Sequence, residues 1–274
     1  MPDSLPIPVA LTIAGSDSGG GAGIQADLRT FAYHCVHGCS AITCVTAQNT
    51  LGVRRVDALS VAAVEAQIEA VLEDINIFSV KTGMLLNEEI IKTVAKIATQ
   101  NRLPNLVVDP VMVSRGGDRL IDEAAVKSLR DCLIPQSVMV TPNRYEAQIL
   151  SGLEINTIDD MKRAAQAIYQ MGSVPVLVKG GGMPELERGV DVWFDGEKME
   201  ILQLTRIATS NNHGTGCTLS AAIAANLALG KDKLSAVKAA KEYVTTALKY
   251  ALDIGQGTGP VGHFFPLLEG QAHS

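Results

Sequence analysis

The sequence lacks the long apolar run and the paired cysteines that mark several common classes of protein. No apolar stretch reaches the roughly 18 residues needed to cross a bilayer, and residues 1–8 lack the basic start and apolar centre of a secretory signal. The five cysteines form no Cys-x-x-Cys pair, and their odd number suits neither a disulfide framework nor a zinc ribbon. We therefore expect reduced thiols in a soluble, cytoplasmic chain with no membrane partner.

Positive charge is also scarce. The chain has 23 Lys and Arg residues against 29 Asp and Glu, which gives a formal net charge of -6. No cluster of basic residues forms a stripe, and this argues against nucleic acid or an anionic membrane as the main partner. We expect small-molecule ligands instead, and 274 residues fit a single α/β domain spanning 1–274.

Short apolar, β-leaning runs recur along the chain and predict buried strands at 9–14, 41–45, 79–81, 106–109, 138–141 and 174–179. Helical patterns fall at 24–31, 61–72, 87–99, 122–133, 144–150, 158–171, 215–229 and 234–250. This alternation predicts a doubly wound α/β fold with a mainly parallel sheet and helices on both faces. Residues 189–194 and 198–204, joined through Asp195-Gly196, predict a small antiparallel hairpin at an edge of the sheet.

A glycine turn precedes the helix predicted at 215–229. Residues 214–217, Gly-Thr-Gly-Cys, lead directly into a run of strong helix formers that ends at Gly230. The first amides of a helix have no intrahelical acceptor and lie at the positive end of its dipole, so two glycines here let an anion reach the backbone. A transferring phosphoryl group is such an anion. The alternative is an ordinary turn capped by Asn212 or Thr215.

Ligands of open α/β sheets gather at the carboxyl ends of the strands. The segments that follow the predicted strands share small, polar or charged residues, and they are 15–23, 46–49, 81–84, 109–112, 141–146 and 179–182. They contain the carboxylates of Asp109 and Glu146, the amide of Asn143 and two lysines. With an anion site further along the chain, this set suits a phosphotransferase that uses a metal and a nucleotide.

Two other nucleotide-binding motifs, the dinucleotide-binding turn and the P-loop, are disfavoured by the sequence. Residues 21–26 match the G-x-G-x-x-A form of a dinucleotide-binding turn between a strand and a helix. The second predicted strand, however, ends in Thr46-Ala47-Gln48, without the acid that would hold a ribose hydroxyl, which disfavours an oxidoreductase. A Walker-type Gly-x-x-x-x-Gly-Lys-Ser/Thr is absent, so a kinase here would not be of the P-loop class.

The motifs, taken in order, resemble those of the bacterial hydroxymethylpyrimidine/phosphomethylpyrimidine kinases of thiamine biosynthesis. They are 14–17, 20–27, 47–50, 81–85, 109–112, 141–143, 179–181 and 213–218, and the resemblance runs collinearly from about 9 to 264. It implies a ribokinase-like fold, ATP and Mg2+ as cosubstrates, and a homodimer. It also implies phosphorylation of 4-amino-5-hydroxymethyl-2-methylpyrimidine and then of its monophosphate.

The resemblance also implies roles for individual residues. The pyrimidine pocket would use Gln48, Asp27, the backbone of Thr46, Met84 packing on the ring, and Gly15. Independently, the Gln48 amide has the acceptor and donors that an aminopyrimidine, with its amine beside a ring nitrogen, requires. On the ATP side, Lys179 and Thr215 would lie near the phosphates. Asn143 and Glu146 would contact Mg2+ directly or through water, and Asp109 would contact metal-bound water.

Cys217 replaces the aspartate that serves as general base in most ribokinase-like sugar kinases, and we place the chemistry at Gly214, Thr215, Gly216 and Cys217. A helix N-terminus lowers the pKa of a thiol, so a Cys217 thiolate could accept the proton of the substrate hydroxyl. The alternative is that Cys217 is only a small buried residue, and that the neighbouring anion nest supplies the catalysis.

Plainer interpretations exist for the other residues and for the function. Gln48 could be a loop amide, Asp27 a solvated helix carboxylate, Met84 a core residue and Glu146 an ordinary first-turn acid. At the level of function, the alternatives are a pyridoxal kinase, which acts on a similar ring hydroxymethyl group, and a noncatalytic pyrimidine-binding protein. The intact polar set argues against the second.

Overall fold

The computed structural model describes residues 7–100, 102–113, 119–184 and 186–271. The chain divides into two compact units. The first contains the described residues up to Lys81, Leu103–Asn105 and those from Ile207 onward, and the second contains those of Thr82–Arg102 and Leu106–Arg206. None of the helices in the described part of the chain combines the length and apolar character that a bilayer crossing requires.

The first unit begins with strand β1, which is covered on both faces. Its elements are β1 (Val9–Asp17), α1 (Gly23–Tyr33), β2 (His37–Asn49), β3 (Gly52–Ala58), α2 (Val61–Asp74) and β4 (Ser79–Thr82). β1 pairs with β2 in parallel and β2 pairs with β3 antiparallel. Their strand order is β3-β2-β1-β4.

The second unit carries the predicted hairpin. Its elements are α3 (Glu88–Thr99), β5 (Leu106–Val108), α4 (Glu123–Ser128), β6 (Met139–Val140), α5 (Arg144–Ser151), α6 (Ile158–Tyr169), β7 (Val176–Val178), β8 (Asp191–Phe194) and β9 (Met199–Leu202). The strand order is β5-β6-β7-β8-β9. β5, β6 and β7 pair in parallel, whereas β8 is antiparallel to β7 and β9 is antiparallel to β8. The hairpin prediction is therefore confirmed.

The chain returns to the first unit in three helices, α7 (Thr215–Ala228), α8 (Lys233–Lys249) and α9 (Phe265–Gln271). α7 is the most enclosed of these: every residue from Thr218 to Ala228 is buried. Its alanine-rich surface lets neighbouring elements approach closely on all sides, which is why it shows no polar face. The start of this helix is consequently held in a fixed position by its surroundings.

Four features differ from the sequence predictions. β2 extends to Asn49, so Gln48 lies on a strand and not in the loop after one, and β3 was not predicted. Every residue of β3 is exposed, so it shows no buried face to produce a hydrophobic alternation. The helix predicted at 122–133 ends as an α-helix at Ser128 and continues as a π-helical turn, shortly before Pro135. α9 was also not predicted.

Candidate active site

Asp17, at the end of β1, organises the glycine loop that leads into α1. Its carboxylate accepts hydrogen bonds from the amides of Gly19 (2.8 Å), Gly21 (3.0 Å) and Ala22 (2.8 Å), and its Oδ2 lies 2.8 Å from Nε2 of His213. Burial raises the pKa of Asp17, but the hydrogen bonds from His213 and the two amides of Ala22 and Gly19 outweigh burial and leave that pKa below its usual value. Asp17 is thus an anion that ties the loop to the segment before α7.

Gln48 lies beside this cluster. The register between β2 and β3 shifts after Ala47, and such bulges re-aim side chains next to functional sites. The Gln48 side chain is half-buried, with its amide 3.2 Å from Thr46 Oγ1 and 3.3 Å from His213 Nε2. The plain interpretation, a loop amide bonded to backbone, does not describe it, because the Gln48 side chain contacts the side chains of Thr46 and His213.

Asp27 lies in a different cluster of the first unit. Its Oδ2 accepts from Lys81 Nζ at 2.7 Å and from Thr12 Oγ1 at 2.6 Å, and the side chains of Asp27 and Lys81 are both 0% exposed. The interpretation as a solvated helix carboxylate is therefore wrong. A contact between Asp27 and a pyrimidine stays a prediction.

The turn before α7 has the form that the sequence predicted. Gly214 is the N-cap, with φ +80°, and no side chain caps the helix, so neither Asn212 nor Thr215 does so. Instead the Thr215 hydroxyl donates to the backbone carbonyl of Asn212 at 2.6 Å. Cys217 is the third helical residue and is half-buried. The amide-rich first turn is therefore not blocked by a capping side chain.

Gly214 has a second reason to be glycine. A Cβ at this position would lie 1.8 Å from the carbonyl oxygen of Gly21, and the positive φ disfavours any side chain. Gly214 thus lets the turn before α7 pack directly on the glycine loop after β1. Gly15 lies where the β1–β2 register shifts, between Ala14 and Ser16, and its carbonyl oxygen is in turn close to Gly23.

The predicted ATP-side residues form a buried cluster in the second unit. Lys179 Nζ donates to Asp109 Oδ1 at 2.7 Å, and the Thr141 hydroxyl lies 3.3 Å from the same oxygen. Lys179 follows β7 and pairs with Asn143 in an isolated parallel bridge, its amide donating to the carbonyl of Pro142 at 2.8 Å. The strand ends thus bring Asp109, Asn143 and Lys179 together, as parallel strands should.

Asn143 and Glu146 form a capping box at the start of α5. The Asn143 side chain accepts from the Glu146 amide at 3.0 Å, and Glu146 Oε2 accepts from the Asn143 amide at 2.7 Å. Burial raises the pKa of Glu146 to about 8; the nearby Lys179 opposes this shift. Glu146 is 2% exposed, so it is not an ordinary solvated first-turn acid.

The oxygen-rich character of this cluster fits Mg2+. Among the described residues, no three His, Cys, Asp or Glu side chains cluster closely enough to hold a metal by themselves. Mg2+ does not need such a cage, because it keeps several waters and takes other ligands from substrate phosphates.

Met84 lies half-buried in the second unit.

Sequence reasoning missed three functional candidates. Lys81 and Asp17 stand within recognised motifs but were given no individual role, and His213 was treated only as the residue before the turn. His213 contacts Asp17 across 196 residues of sequence. A signal was present for Asp17 and Lys81, since each is a charged residue at the end of a buried strand.

Comparison with known proteins shows the family of this chain. The profile of the family described as phosphomethylpyrimidine kinase matches residues 17–262. The hydroxymethylpyrimidine/phosphomethylpyrimidine kinase of Synechococcus elongatus is 58% identical, over 96% of this chain and all of that protein. The enzyme of the same name from Bacillus subtilis is 46% identical, over 93% and 94% of the two chains.

Solved structures confirm the ribokinase-like fold. A Bacillus subtilis pyridoxal kinase in complex with ADP superposes with a TM-score of 0.88 at 41% identity, covering 94% of this chain and 97% of that one. The phosphomethylpyrimidine kinase of Clostridium difficile gives a TM-score of 0.78 at 42% identity, covering 88% and 99%. The chain is a kinase, and it belongs to the phosphomethylpyrimidine kinase family.

Proposed function

We propose that this kinase transfers the γ-phosphoryl group of ATP to the hydroxymethyl oxygen of 4-amino-5-hydroxymethyl-2-methylpyrimidine, and in a second turnover to the resulting monophosphate, in thiamine diphosphate biosynthesis. The observation that carries the proposal is the place of His213. Its ring lies 3.3 Å from the Gln48 amide, and the next residue along the chain begins the turn before α7. His213 thereby links the Gln48 amide, which can hydrogen-bond an aminopyrimidine, to the turn before α7, which can bind a phosphoryl anion.

The chemistry on the acceptor side follows from the first turn of α7. The alcohol oxygen attacks the γ-phosphorus, the bond to the β-phosphate oxygen breaks, and ADP leaves. The alcohol proton passes to the Cys217 thiolate, and the amides of Gly216 and Cys217 stabilise the negative charge of the transferring group. In the second turnover the acceptor is a phosphate oxygen that is already ionised near neutral pH, so that step needs little base.

On the donor side, we assign a phosphate contact to Lys179 in the buried cluster of the second unit. Thr215, in the first turn of α7, is assigned a phosphate contact as well. Asn143, Glu146 and Asp109 would hold Mg2+ directly or through water, and the ion supplies charge neutralisation on the phosphates when it is bound. The all-oxygen donor set of these three side chains supports Mg2+ over a softer metal.

A pyridoxal kinase is the second candidate, because solved pyridoxal kinases share this fold at 37–41% identity. Relatives that are 58% and 49% identical to this chain are named for the pyrimidine. The functions are separated by phosphorus NMR of reactions that contain MgATP and one acceptor alcohol. We expect the pyrimidine monophosphate and then the diphosphate. Folded protein that forms neither product would refute the proposed function.

We also propose a homodimer that acts in the cytoplasm, where its five free cysteines stay reduced. β3 ends the strand order and exposes its whole length, and the hairpin it forms with β2 carries exposed Val45, Leu51, Val53 and Val56. Unpaired, apolar edge strands are normally covered. Light scattering should give twice the 28.9 kDa chain mass, and Val53→Lys should give the monomer. A wild-type mass of one chain would exclude the homodimer.

A further inference from the structure

The hydrogen bonds around Gln48 determine where its protons lie. The Gln48 backbone is fixed first, because its amide donates to the Ser18 hydroxyl at 2.8 Å and its carbonyl accepts from that hydroxyl at 2.6 Å. Only the side-chain amide then has freedom to turn. Its two ends face the hydroxyl oxygen of Thr46 and Nε2 of His213.

His213 must carry a proton on Nε2. This atom is 2.8 Å from Asp17 Oδ2, a carboxylate oxygen that also accepts from the amides of Gly21 and Ala22. Two acceptors do not approach to 2.8 Å without a proton between them. Since a neutral imidazole has one protonated nitrogen, Nε2 is a donor whether the ring is neutral or charged. With its proton directed at Asp17, Nε2 has no free lone pair and cannot accept a hydrogen bond from Gln48; the shared proton can face only an acceptor at 3.3 Å.

Thr46 must act as an acceptor towards Gln48. Its hydroxyl lies 2.8 Å from the backbone carbonyl of Ser16, which has no proton to give, so the single hydroxyl proton points there. The lone pairs of Thr46 Oγ1 are then what it can offer to the amide. Both neighbours are then satisfied only if the amide nitrogen points to Thr46 and the amide oxygen points to His213. A half-turn about the last side-chain bond gives this arrangement with the heavy atoms in the same places.

The His213 ring is held firmly enough to impose this orientation. A Cβ on Gly21 would lie 2.4 Å from His213 Cδ2, so the ring packs directly on the bare backbone of the glycine loop. The His213 backbone is paired on both sides with the C-terminal segment, donating to Gly259 at 3.1 Å and accepting from Val261 at 3.2 Å. The donor that Gln48 meets is therefore fixed before any ligand binds.

We propose that His213 is a positioning residue that locks the Gln48 amide with its oxygen towards His213 and its nitrogen towards Thr46, and so determines which donor and acceptor pattern of a ring the site can bind. The proposal rests on the proposed function for the identity of that ring, an aminopyrimidine. It adds that Asp17 and His213 contribute to substrate specificity without touching the substrate.

The first test needs no substrate. Nitrogen NMR of protein with isotopically labelled histidine reports which ring nitrogen is protonated, and the His213 signals are those missing from His213→Phe. We expect the proton on Nε2 in the ligand-free enzyme. A neutral ring with its proton on Nδ1 would overturn the proposal, whatever the protein phosphorylates.

The second test is a double-mutant cycle on phosphorylation of the aminopyrimidine alcohol. His213→Phe should raise KM about 10-fold, the scale of one buried polar pairing, and should change kcat by less than about threefold. On a Gln48→Ala background it should have no further effect on KM, because it acts through that amide. Effects that multiply would overturn the proposal. His213→Gln, which retains a donor, should recover part of the wild-type KM.

Controls separate the possible failures. His37→Phe makes the same substitution at an exposed histidine and should leave KM unchanged. Unchanged thermal unfolding of His213→Phe would show that its effect is not a folding defect; if that variant does not fold, His213→Gln carries the cycle. Wild-type enzyme that fails to phosphorylate the aminopyrimidine refutes the proposed function, whereas the NMR result tests the proton position on His213 independently of any substrate.

Discussion

Cys217 shows how much chemistry depends on the position of one side chain. As the third residue of α7 it lies beside the amide-rich end of a helix whose N-cap is glycine. Such a place favours a thiolate, because the helix dipole and the amides stabilise negative charge. The same amides can also bind a phosphoryl group. Two roles for the thiol are therefore distinguished: a general base, or a side chain that takes no part in the proton transfer.

Cys217→Ser separates these roles. The substitution keeps size and the helix turn but removes the readily formed thiolate, so we expect it to slow phosphorylation of the alcohol by roughly 10²-fold, the scale of one general base. The monophosphate step should slow far less, because its acceptor is already ionised. Steady-state rates with both acceptors check this. An alcohol step at the wild-type rate would remove the base from the mechanism.

Gly214 would be a poor site for testing the anion nest. Gly214→Val would obstruct the first turn of α7. Its side chain would also collide with the Gly21 carbonyl, and the positive φ at this position disfavours valine. A loss of activity would therefore also reflect a distorted glycine loop. The close approach of Gly214 to Gly21 joins residues 193 positions apart in the chain, so the local sequence pattern could not predict it. The same holds for the contact of His213 with Gln48, which are 165 residues apart. Side chains at strand ends were predictable; their partners were not.

At the scale of elements, a buried ion pair ties α1 to β4. Asp27 and Lys81 are fully buried and 2.7 Å apart. Lys81→Met removes the positive charge that faces the buried Asp27 carboxylate and leaves its hydrogen bond from Thr12, so we expect a loss of about 3–5 kcal/mol in the free energy of unfolding. Urea unfolding measures it. Asp27→Leu combined with Lys81→Met should be less destabilised than Lys81→Met alone.

A control for this pair is Lys127→Met, which removes an exposed lysine that pairs with Asp131 and leaves the pairing of Asp131 with Arg130. We expect little change in its unfolding midpoint, because solvent screens exposed pairs. If Lys81→Met behaved like this control, Asp27 would not depend on Lys81 for its burial.

The C-terminal segment is linked to α7 through a buried histidine. Nε2 of His263 lies 2.9 Å from the Thr218 hydroxyl, which donates to the Gly214 carbonyl at 2.8 Å, and the Tyr243 hydroxyl donates to the His263 carbonyl. The ring nitrogen is therefore the donor in this chain of bonds. Burial, with added repulsion from Arg29, lowers the pKa of His263 to about 4.

This shift predicts a loss of stability in mild acid. The unfolded chain takes up the proton near pH 6.5 but the folded chain only near pH 4, so stability is complete above about pH 6.5 and falls as the pH falls towards 4. The loss between pH 7 and pH 5 should be about 2 kcal/mol. His34, whose pKa burial also lowers, adds in the same direction. Denaturant unfolding at both pH values checks this; His263→Gln should show a smaller loss, and an equal loss would assign it elsewhere.

The elements themselves were largely predictable where they are buried. β1 and β7 were found because two covered faces produce apolar runs, and α3 and α6 because their buried residues repeat at helical spacing. β3 has no buried residue, and the signal that would have revealed it is therefore missing. Its pairing with β2 is what puts Gln48 on a strand, so this one omission also misplaced a site residue.

At the scale of the whole molecule, the ordered motifs carried more information than composition or periodicity. Charge and the lack of paired cysteines excluded classes of protein, but many α/β enzymes would pass those tests. The family was identified by its motifs and confirmed by a relative that is 58% identical over 96% of the chain. The single-domain organisation over 1–274 stays a prediction.

The central claim is that one site phosphorylates both the aminopyrimidine alcohol and its monophosphate. The most direct measurement is turnover of hydroxymethylpyrimidine, its monophosphate and pyridoxal, side by side, with MgATP and the same enzyme preparation. We predict phosphorylation of both pyrimidines, with a higher kcat/KM for the pyrimidine alcohol than for pyridoxal, because the locked Gln48 amide matches an amine beside a ring nitrogen. A higher kcat/KM for pyridoxal, or no turnover of the monophosphate, would contradict the account.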